Sequence, residues 1–266
     1  MNTYTGLMKS SESGVGVVAR AGAVLRAVGT AEPEGLSTTE VARLSGIARP
    51  TAHRLLSALF DEGFVDRDPR TGVWSLGPEL YLLGMSAANR YDITDHANDV
   101  LRVLARETGE SSFLSARRGD ETVCLASQEG SFPLRSHVLH EGVRFPLGVA
   151  SAGLAILSHM PEREIDDYFR RTDLTAQWGA DHAEAPVRTR IATTRRHGYA
   201  VNPALLVEGS WGMGAAVFDR WGQPAWALSL TGVETRFKAV RRRELGRLLL
   251  EQAHVLSTRL NSVAGR

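Results

Sequence analysis

The segment Leu36-Ser-Thr-Thr-Glu-Val-Ala-Arg-Leu-Ser-Gly-Ile-Ala-Arg-Pro-Thr-Ala-His-Arg-Leu-Leu56 constrains the fold of this chain more than any other stretch. Ser37 followed three residues on by Glu40 is an N-terminal capping pattern, and the helix it opens carries Val41 and Leu44 inward before stopping at Ser45-Gly46. Pro50 then sits in the first turn of another helix, which runs through Leu55, Leu56, Leu59 and Phe60 to Gly63. Two helices joined by so tight a turn must approach closely. That geometry needs a small residue facing the second helix, a residue able to take positive φ at the turn, and a small contact on the second helix. Ala42, Gly46 and Ala52 meet those needs, so a helix-turn-helix is expected.

The flanks extend the motif. Val17, Val18, Ala21, Val24, Leu25 and Val28 recur at helical spacing ahead of it. Behind it, Phe64-Val-Asp-Arg67 and Val73-Trp-Ser-Leu76 enclose the turn Asp68-Pro-Arg-Thr-Gly72, a hairpin signal. Residues 15–77 therefore read as a winged helix, whose second motif helix enters a DNA major groove while the hairpin lies along the backbone. Arg49, Thr51, His53 and Arg54 are the candidates for base edges or phosphates, and Arg67 and Arg70 for wing-to-phosphate contact. The domain is not basic overall, since residues 16–76 hold seven arginines and seven acidic residues. Asymmetry carries the argument instead: Arg43, Arg49 and Arg54 lie on the motif helices, Glu32 and Glu34 in the loop before them. A helical protein-interaction module that binds no DNA is the alternative reading.

At 266 residues the chain suits two domains better than one. With 43% hydrophobic and 23% charged residues it fits neither disorder nor a repeat array, and a net charge of +1 names no partner. Residues 1–14, rich in Ser, Thr and Gly, are expected to be a disordered tail. The first twenty residues lack the apolar core of a secretory signal, and the single cysteine, Cys124, excludes an intramolecular disulfide, so a cytoplasmic protein is expected. No window approaches the roughly 18 consecutive apolar residues of a membrane span. Residues 78–108 read as a helical linker, and 109–266 mix strands with helices: Ser112–Ala116, Thr122–Ala126, Leu134–Val138, Gly214–Asp219 and Ala225–Leu230 extended, Val149–His159, Pro186–His197 and Arg236–Ser262 helical. The whole is α+β.

These pieces resemble the IclR family of bacterial transcriptional regulators across nearly the full chain. The resemblance rests on Glu34-Gly-Leu-Ser-Thr-Thr-Glu-Val-Ala, Thr51-Ala-His-Arg-Leu-Leu-Ser-Ala-Leu, Gly63-Phe-Val-Asp-Arg-Asp-Pro, Trp74-Ser-Leu-Gly-Pro, Arg196-His-Gly-Tyr-Ala and Leu228-Ser-Leu-Thr-Gly. It implies an N-terminal winged helix-turn-helix domain, a helical linker and a C-terminal GAF-like α/β effector-binding domain, assembled as a homodimer or dimer of dimers on palindromic operator DNA. It also implies an effector pocket. Ser151 and Ala152 match ligand-contacting positions in the loop Phe145–Ala155. Asn202 falls near a position where relatives often have an acid, Gly212 where many have a cysteine, and Ser229 and Thr231 on a late strand supply hydroxyls. The family's common His is replaced by Gly148 or Val149 and its common Lys by Leu154, which makes the pocket less polar. With Trp211, Met213, Phe145 and Leu147 nearby, the expected effector is a small organic acid with an aromatic or aliphatic body.

Other signals carry less. Gly14-Val-Gly-Val-Val-Ala19 has no strand before it, so it is not a dinucleotide site. Gly148-Val-Ala-Ser-Ala-Gly153 has Val149 where a nucleophile elbow needs glycine. His137 and His140 form no tetrahedral set, and no metal or other cofactor is expected. Cys124, between Val123 and Leu125, reads as an inert strand residue, and Arg241-Arg-Arg243 as a solvated helix face. An enzyme with a catalytic C-terminal half is the remaining rival, and no nucleophile and base stand at motif spacing to support it. The expectation is a ligand-responsive regulator, more a repressor than an activator, of a catabolic operon.

Overall fold

The computed structural model describes residues 16–88, 93–134, 136 and 138–263. The expected tail 1–14 and His137 lie outside them. The chain divides into two compact units, 1–91 and 92–266, the break falling inside the segment expected to link two domains.

The first unit holds helices α1 (Val17–Gly29), α2 (Thr38–Ser45) and α3 (Arg49–Asp61), a hairpin of β1 (Val65–Arg67) and β2 (Trp74–Leu76), and helix α4 (Pro78–Ala88). The capping box is formed: Ser37 accepts from the Glu40 amide and the Glu40 carboxylate accepts from the Ser37 amide. Gly46 ends α2 at φ 68°, in the left-handed region where L side chains are strained, and turns the chain directly into α3. Val24, Val28, Val41, Leu56, Val65 and Trp74 close one small core, so the wing packs on the three helices, with the Trp74 ring meeting Phe60 of α3 edge to face at 6.3 Å. The Trp74 Nε1 donates 2.9 Å to the Thr38 hydroxyl, and the Leu76 amide donates 2.6 Å to the Glu32 carboxylate.

The second unit begins with helix α5 (Ile93–Thr108), then β3 (Ser111–Arg118), β4 (Glu121–Gln128), β5 (Arg144–Pro146), α6 (Ser151–Ser158), α7 (Glu162–Arg171), α8 (Thr175–Trp178), a 3-10 turn Ala180–His182, α9 (Glu184–His197), β6 (Ala200–Pro203), β7 (Ser210–Phe218), β8 (Pro224–Val233) and α10 (Ala239–Val263). Its six strands form one antiparallel sheet in the order β5-β4-β3-β8-β7-β6. Both faces are covered, so side-chain alternation sorts each strand between two cores. Leu114, Met213, Ala215, Val217, Leu228 and Leu230 pack under α5 and α10. Phe113, Cys124 and Ala227 pack on the opposite face with α6, α7 and α9. The buried Glu110 carboxylate takes Arg236 at 2.5 Å and Arg241 at 2.7 Å, fixing the start of α10 to the strand that follows α5.

One expected strand is corrected: among the described residues, Leu134, Ser136 and Val138 lie in a loop. The short strand β5 forms instead, pairing Phe145 with Thr122. Alternation around Leu134 mimicked a strand, but Val138 and Leu139 are apolar because they cover a pocket.

Candidate functional site

The first candidate surface is the exposed start of α3. Arg49, Pro50, His53 and Arg54 line one shallow concavity. Thr51 sits beside it, with Arg54 Nη2 at 3.4 Å from its hydroxyl. Helix α3 has Ala48 at its N-cap, no capping side chain and no acid in its first turn. Pro50 has no N–H, and the Thr51 and Ala52 amides both donate to the Ala48 carbonyl, at 2.9 and 3.0 Å, so contact with an anion at this end is left mainly to the side chains of Arg49, His53 and Arg54. On the wing, Arg67 lies over the Trp74 ring, 5.1 Å from its centroid, while its side chain stays exposed. The Asp68 carboxylate accepts from the Thr71 amide at 3.0 Å and the Arg70 amide at 2.6 Å, and these bonds hold its pKa below the usual value and fix the turn that displays Arg70.

The second site is a small pocket in the sheet unit, about 20 Å³ in volume, bounded by Val138, Leu139, Ala150, Ser151, Asn202, Leu206, Ser210, Gly212 and Thr231. As it stands it admits little more than a water molecule. Its floor is the N-terminus of α6 against β7, and that approach requires glycine. A Cβ on Gly212 would stand 3.1 Å from the Ser151 hydroxyl, and one on Gly214 would stand 2.7 Å from the Ser151 carbonyl oxygen. The loop entering α6 is held from below, where the Tyr168 hydroxyl donates 2.7 Å to the Leu147 carbonyl. It is held from the side by Asn202, whose Nδ2 donates 2.7 Å to the Val149 carbonyl. Asn202 Oδ1 accepts from the Leu205 amide at 3.1 Å, so this side chain spends both ends on the loops that frame the pocket.

The wall on β8 differs. Thr231 and Ser229 point to the α6 side of the sheet, as alternation along the strand requires, and both hydroxyls are buried without a hydrogen-bond partner. A buried polar group left unpaired costs about 1–3 kcal/mol, so a partner of the right chemistry gains from completing it. The roof comes from loops, with the Ser136 and Ser210 hydroxyls 2.5 Å apart.

The structure thus brings Ser151, Asn202, Gly212 and Thr231 together at the pocket, with Ser229 buried two residues along the same strand face. Ala152, the next residue of α6, packs into the core beside Leu154 and Ala155. Trp211 is not brought to this group. It neighbours Gly212 on β7, so its side chain takes the other face, where its ring meets Phe237 at 6.4 Å and Arg242 at 5.0 Å. Met213 follows it under α10, while Phe145 and Leu147 belong to the core on the pocket side. Val138, Leu139, Leu206 and Ser210 complete the pocket without having been singled out in sequence. They stand on loops or at a strand end, where no periodicity marks them. No described helix is long and apolar enough to cross a membrane.

Comparison with known proteins bears on both sites. Residues 17–69 match the model of the IclR helix-turn-helix domain, and residues 85–258 that of the bacterial transcriptional regulator IclR C-terminal domain. The HTH-type transcriptional regulator KipR of Bacillus subtilis is 31% identical over 76% of this chain and 80% of its own. The transcriptional repressor IclR of Escherichia coli is 26% identical over 84% of this chain and 82% of its own. A solved IclR homologue of Microbacterium hydrocarbonoxydans, complexed with 4-hydroxybenzoate, superposes with a TM-score of 0.73 at 20% identity, covering 93% of this chain and all of its own, a likeness of fold.

Proposed function

Because the chain belongs to the IclR family, and is therefore a DNA-binding transcriptional regulator with a C-terminal effector-binding domain, we propose that it represses a catabolic operon and leaves its operator when a small organic acid enters the pocket. In this reading residues 15–77 are the DNA-binding domain, 78–108 the helical linker and 109–266 the effector-binding domain. Arg49, Thr51, His53 and Arg54 read the major groove while Arg67 and Arg70 take backbone phosphates. The observation that carries the effector half is the pair of unpartnered hydroxyls on Ser229 and Thr231. They supply donors and acceptors at one wall, Ser151 and the first amides of α6 suit a carboxylate, and Val138, Leu139 and Leu206 suit an apolar body. The Microbacterium protein holds an aromatic acid, 4-hydroxybenzoate, which supports that class here, and the repressor role of the Escherichia coli relative supports the sign of control.

Assembly follows from α4, which leaves Tyr81, Leu82, Leu83 and Met85 exposed on one short helix. A second copy covering this helix gives a homodimer, alone or paired into a dimer of dimers, whose two-fold axis matches a palindromic operator. The decisive experiment is a footprint on the DNA upstream of the protein's own gene at two salt concentrations, because non-specific binding weakens steeply with salt. A protected two-fold site that survives the higher salt, and is lost with 4-hydroxybenzoate or a short-chain acid, is the expected result. Protection that strengthens with acid would reverse the repressor assignment. Arg54→Ala is expected to cost about 1–3 kcal/mol of operator affinity with an unchanged melting temperature, and equal affinity would remove Arg54 from the interface.

A further inference from the structure

Where β6 gives way to the loop before β7, the chain turns at Asn202-Pro-Ala-Leu205, and this turn is built against local preference. Pro203 fixes φ at the second position, which is usual for a turn. The third position lies at φ 58° and is filled by Ala204. Among the described residues every other positive φ belongs to a glycine. An L side chain is disfavoured there because its Cβ crowds the backbone, so a turn of this kind ordinarily carries glycine third. Two residues on, Leu206 forms part of the pocket wall.

One side chain holds the turn in this form. Asn202 is 5% exposed, its Oδ1 accepts from the Leu205 amide at 3.1 Å, across Ala204, and its Nδ2 donates 2.7 Å to the Val149 carbonyl on the loop entering α6. A backbone amide only donates and a carbonyl only accepts, so the two bonds require one acceptor and one donor on the same short side chain. The far end of the loop is tied separately, by the Ser210 amide to the Val207 carbonyl at 3.0 Å and the Glu234 amide to the Gly209 carbonyl at 2.8 Å. Leu206 lies between these two fastenings. The pocket has room for about one water, so a larger ligand must displace a wall. Ser151, Gly212 and Thr231 belong to α6 and the sheet, whereas Leu206 stands beside a backbone that gains by letting go.

Resting on the reading of this pocket as the effector site, we propose that Asn202 is a positioning residue: it latches residues 204–207 shut with Leu206 in the pocket, and Ala204 is the spring that opens them. Breaking the bond from Leu205 to Asn202 lets Ala204 return to negative φ and carries Leu206 away from the pocket. The strain released offsets part of the cost of opening, so the rate of entry is set at a residue that does not line the pocket.

Three variants of the full chain test this, because they move the turn in opposite directions. Ala204→Gly relieves the strain and favours the closed turn, while Ala204→Val, whose branched side chain tolerates positive φ worst, and Asn202→Ala, which removes the latch, favour the open one. Hydrogen exchange of the Leu205 amide, followed in the peptide spanning 203–210, needs no ligand. It should slow about fivefold in Ala204→Gly relative to the parent and quicken about fivefold or more in the other two. Association of 4-hydroxybenzoate, measured by stopped flow, should follow the same order, slowest in Ala204→Gly. A merely structural role would instead slow or weaken binding in Ala204→Val and Asn202→Ala and leave Ala204→Gly like the parent. That pattern would overturn the proposal, as would equal exchange in the parent and Ala204→Gly, a variant that adds no atom and so keeps the test decisive if another fails to fold. If exchange follows the expected order while none of the proteins binds 4-hydroxybenzoate, the latch is upheld and the assignment of the pocket to such acids falls.

Discussion

Thr231 in the pocket and Ser229 two residues along the same strand face bury hydroxyls that hold on to nothing, and that pulls stability and binding in opposite directions. Replacing an unsatisfied buried hydroxyl by an apolar group of similar shape is neutral or stabilising, so Ser229→Ala with Thr231→Val should leave unfolding free energy unchanged or raise it by about 1 kcal/mol. The same variant should lose the acid-induced release of operator DNA while keeping the DNA affinity. A fall in stability of several kcal/mol would mean that the hydroxyls are structural. Cys124 gives a second test. Burial above all, and then the nearby Glu141, push its thiol up to about 12. At pH 8 only about one molecule in ten thousand carries the thiolate that reacts, so native protein should resist a thiol reagent that labels it fully in denaturant. Labelling of the native state would show that the strand opens. The burial of Cys124 on a strand was legible from its apolar neighbours, and so was the shared face of Ser229 and Thr231. Trp211 was misplaced beside Gly212 although the same alternation separates them, because the resemblance marked the segment and the pleat decides the side.

Helix α6 shows how an element is positioned by what is missing from its neighbour. A methyl group on Gly214 would press on the Ser151 carbonyl, oxygen at 2.7 Å and carbon at 2.9 Å, and backbone cannot rotate away. Gly214→Ala should therefore push the helix off β7 and cost about 1–3 kcal/mol in denaturant unfolding. At Gly212 the methyl would meet the Ser151 hydroxyl at 3.1 Å, an atom that can turn aside, so Gly212→Ala should fold and lose acid affinity. Equal stability for the two variants would show that α6 is not held this way. Elements fixed by short-range chemistry were readable in advance: the capped α2, the Gly46 turn, the wing around Pro69 and Gly72. The short strand β5 carries no alternation of its own and exists because β4 pairs with it. Helix α7 was missed although its signal is present: Ile165, Tyr168 and Phe169 stand at i, i+3 and i+4 and pack on the core. The roof of the pocket left no such trace, since loop residues that converge in space leave no period in the chain.

For the whole molecule, the operator surface lies in unit 1–91 and the pocket in unit 92–266, so regulation requires one free energy to be felt at both. The pocket has room for about one water, so an acid bound there as proposed would have to widen it against Val138, Leu139 and Leu206. If that opening is favoured in the DNA-free form, the coupling is reciprocal by thermodynamic necessity. A tenfold loss of operator affinity caused by the acid, about 1.4 kcal/mol, must appear as a tenfold loss of acid affinity when the operator is saturated. Calorimetric titration of the acid into free and operator-bound protein measures one side, and operator binding with and without acid measures the other. The double variant at Ser229 and Thr231 should bring both factors to one together. An acid that binds free and operator-bound protein equally would mean that the pocket holds a ligand without controlling DNA, because a ligand with equal affinity for two states shifts nothing, however tightly it binds.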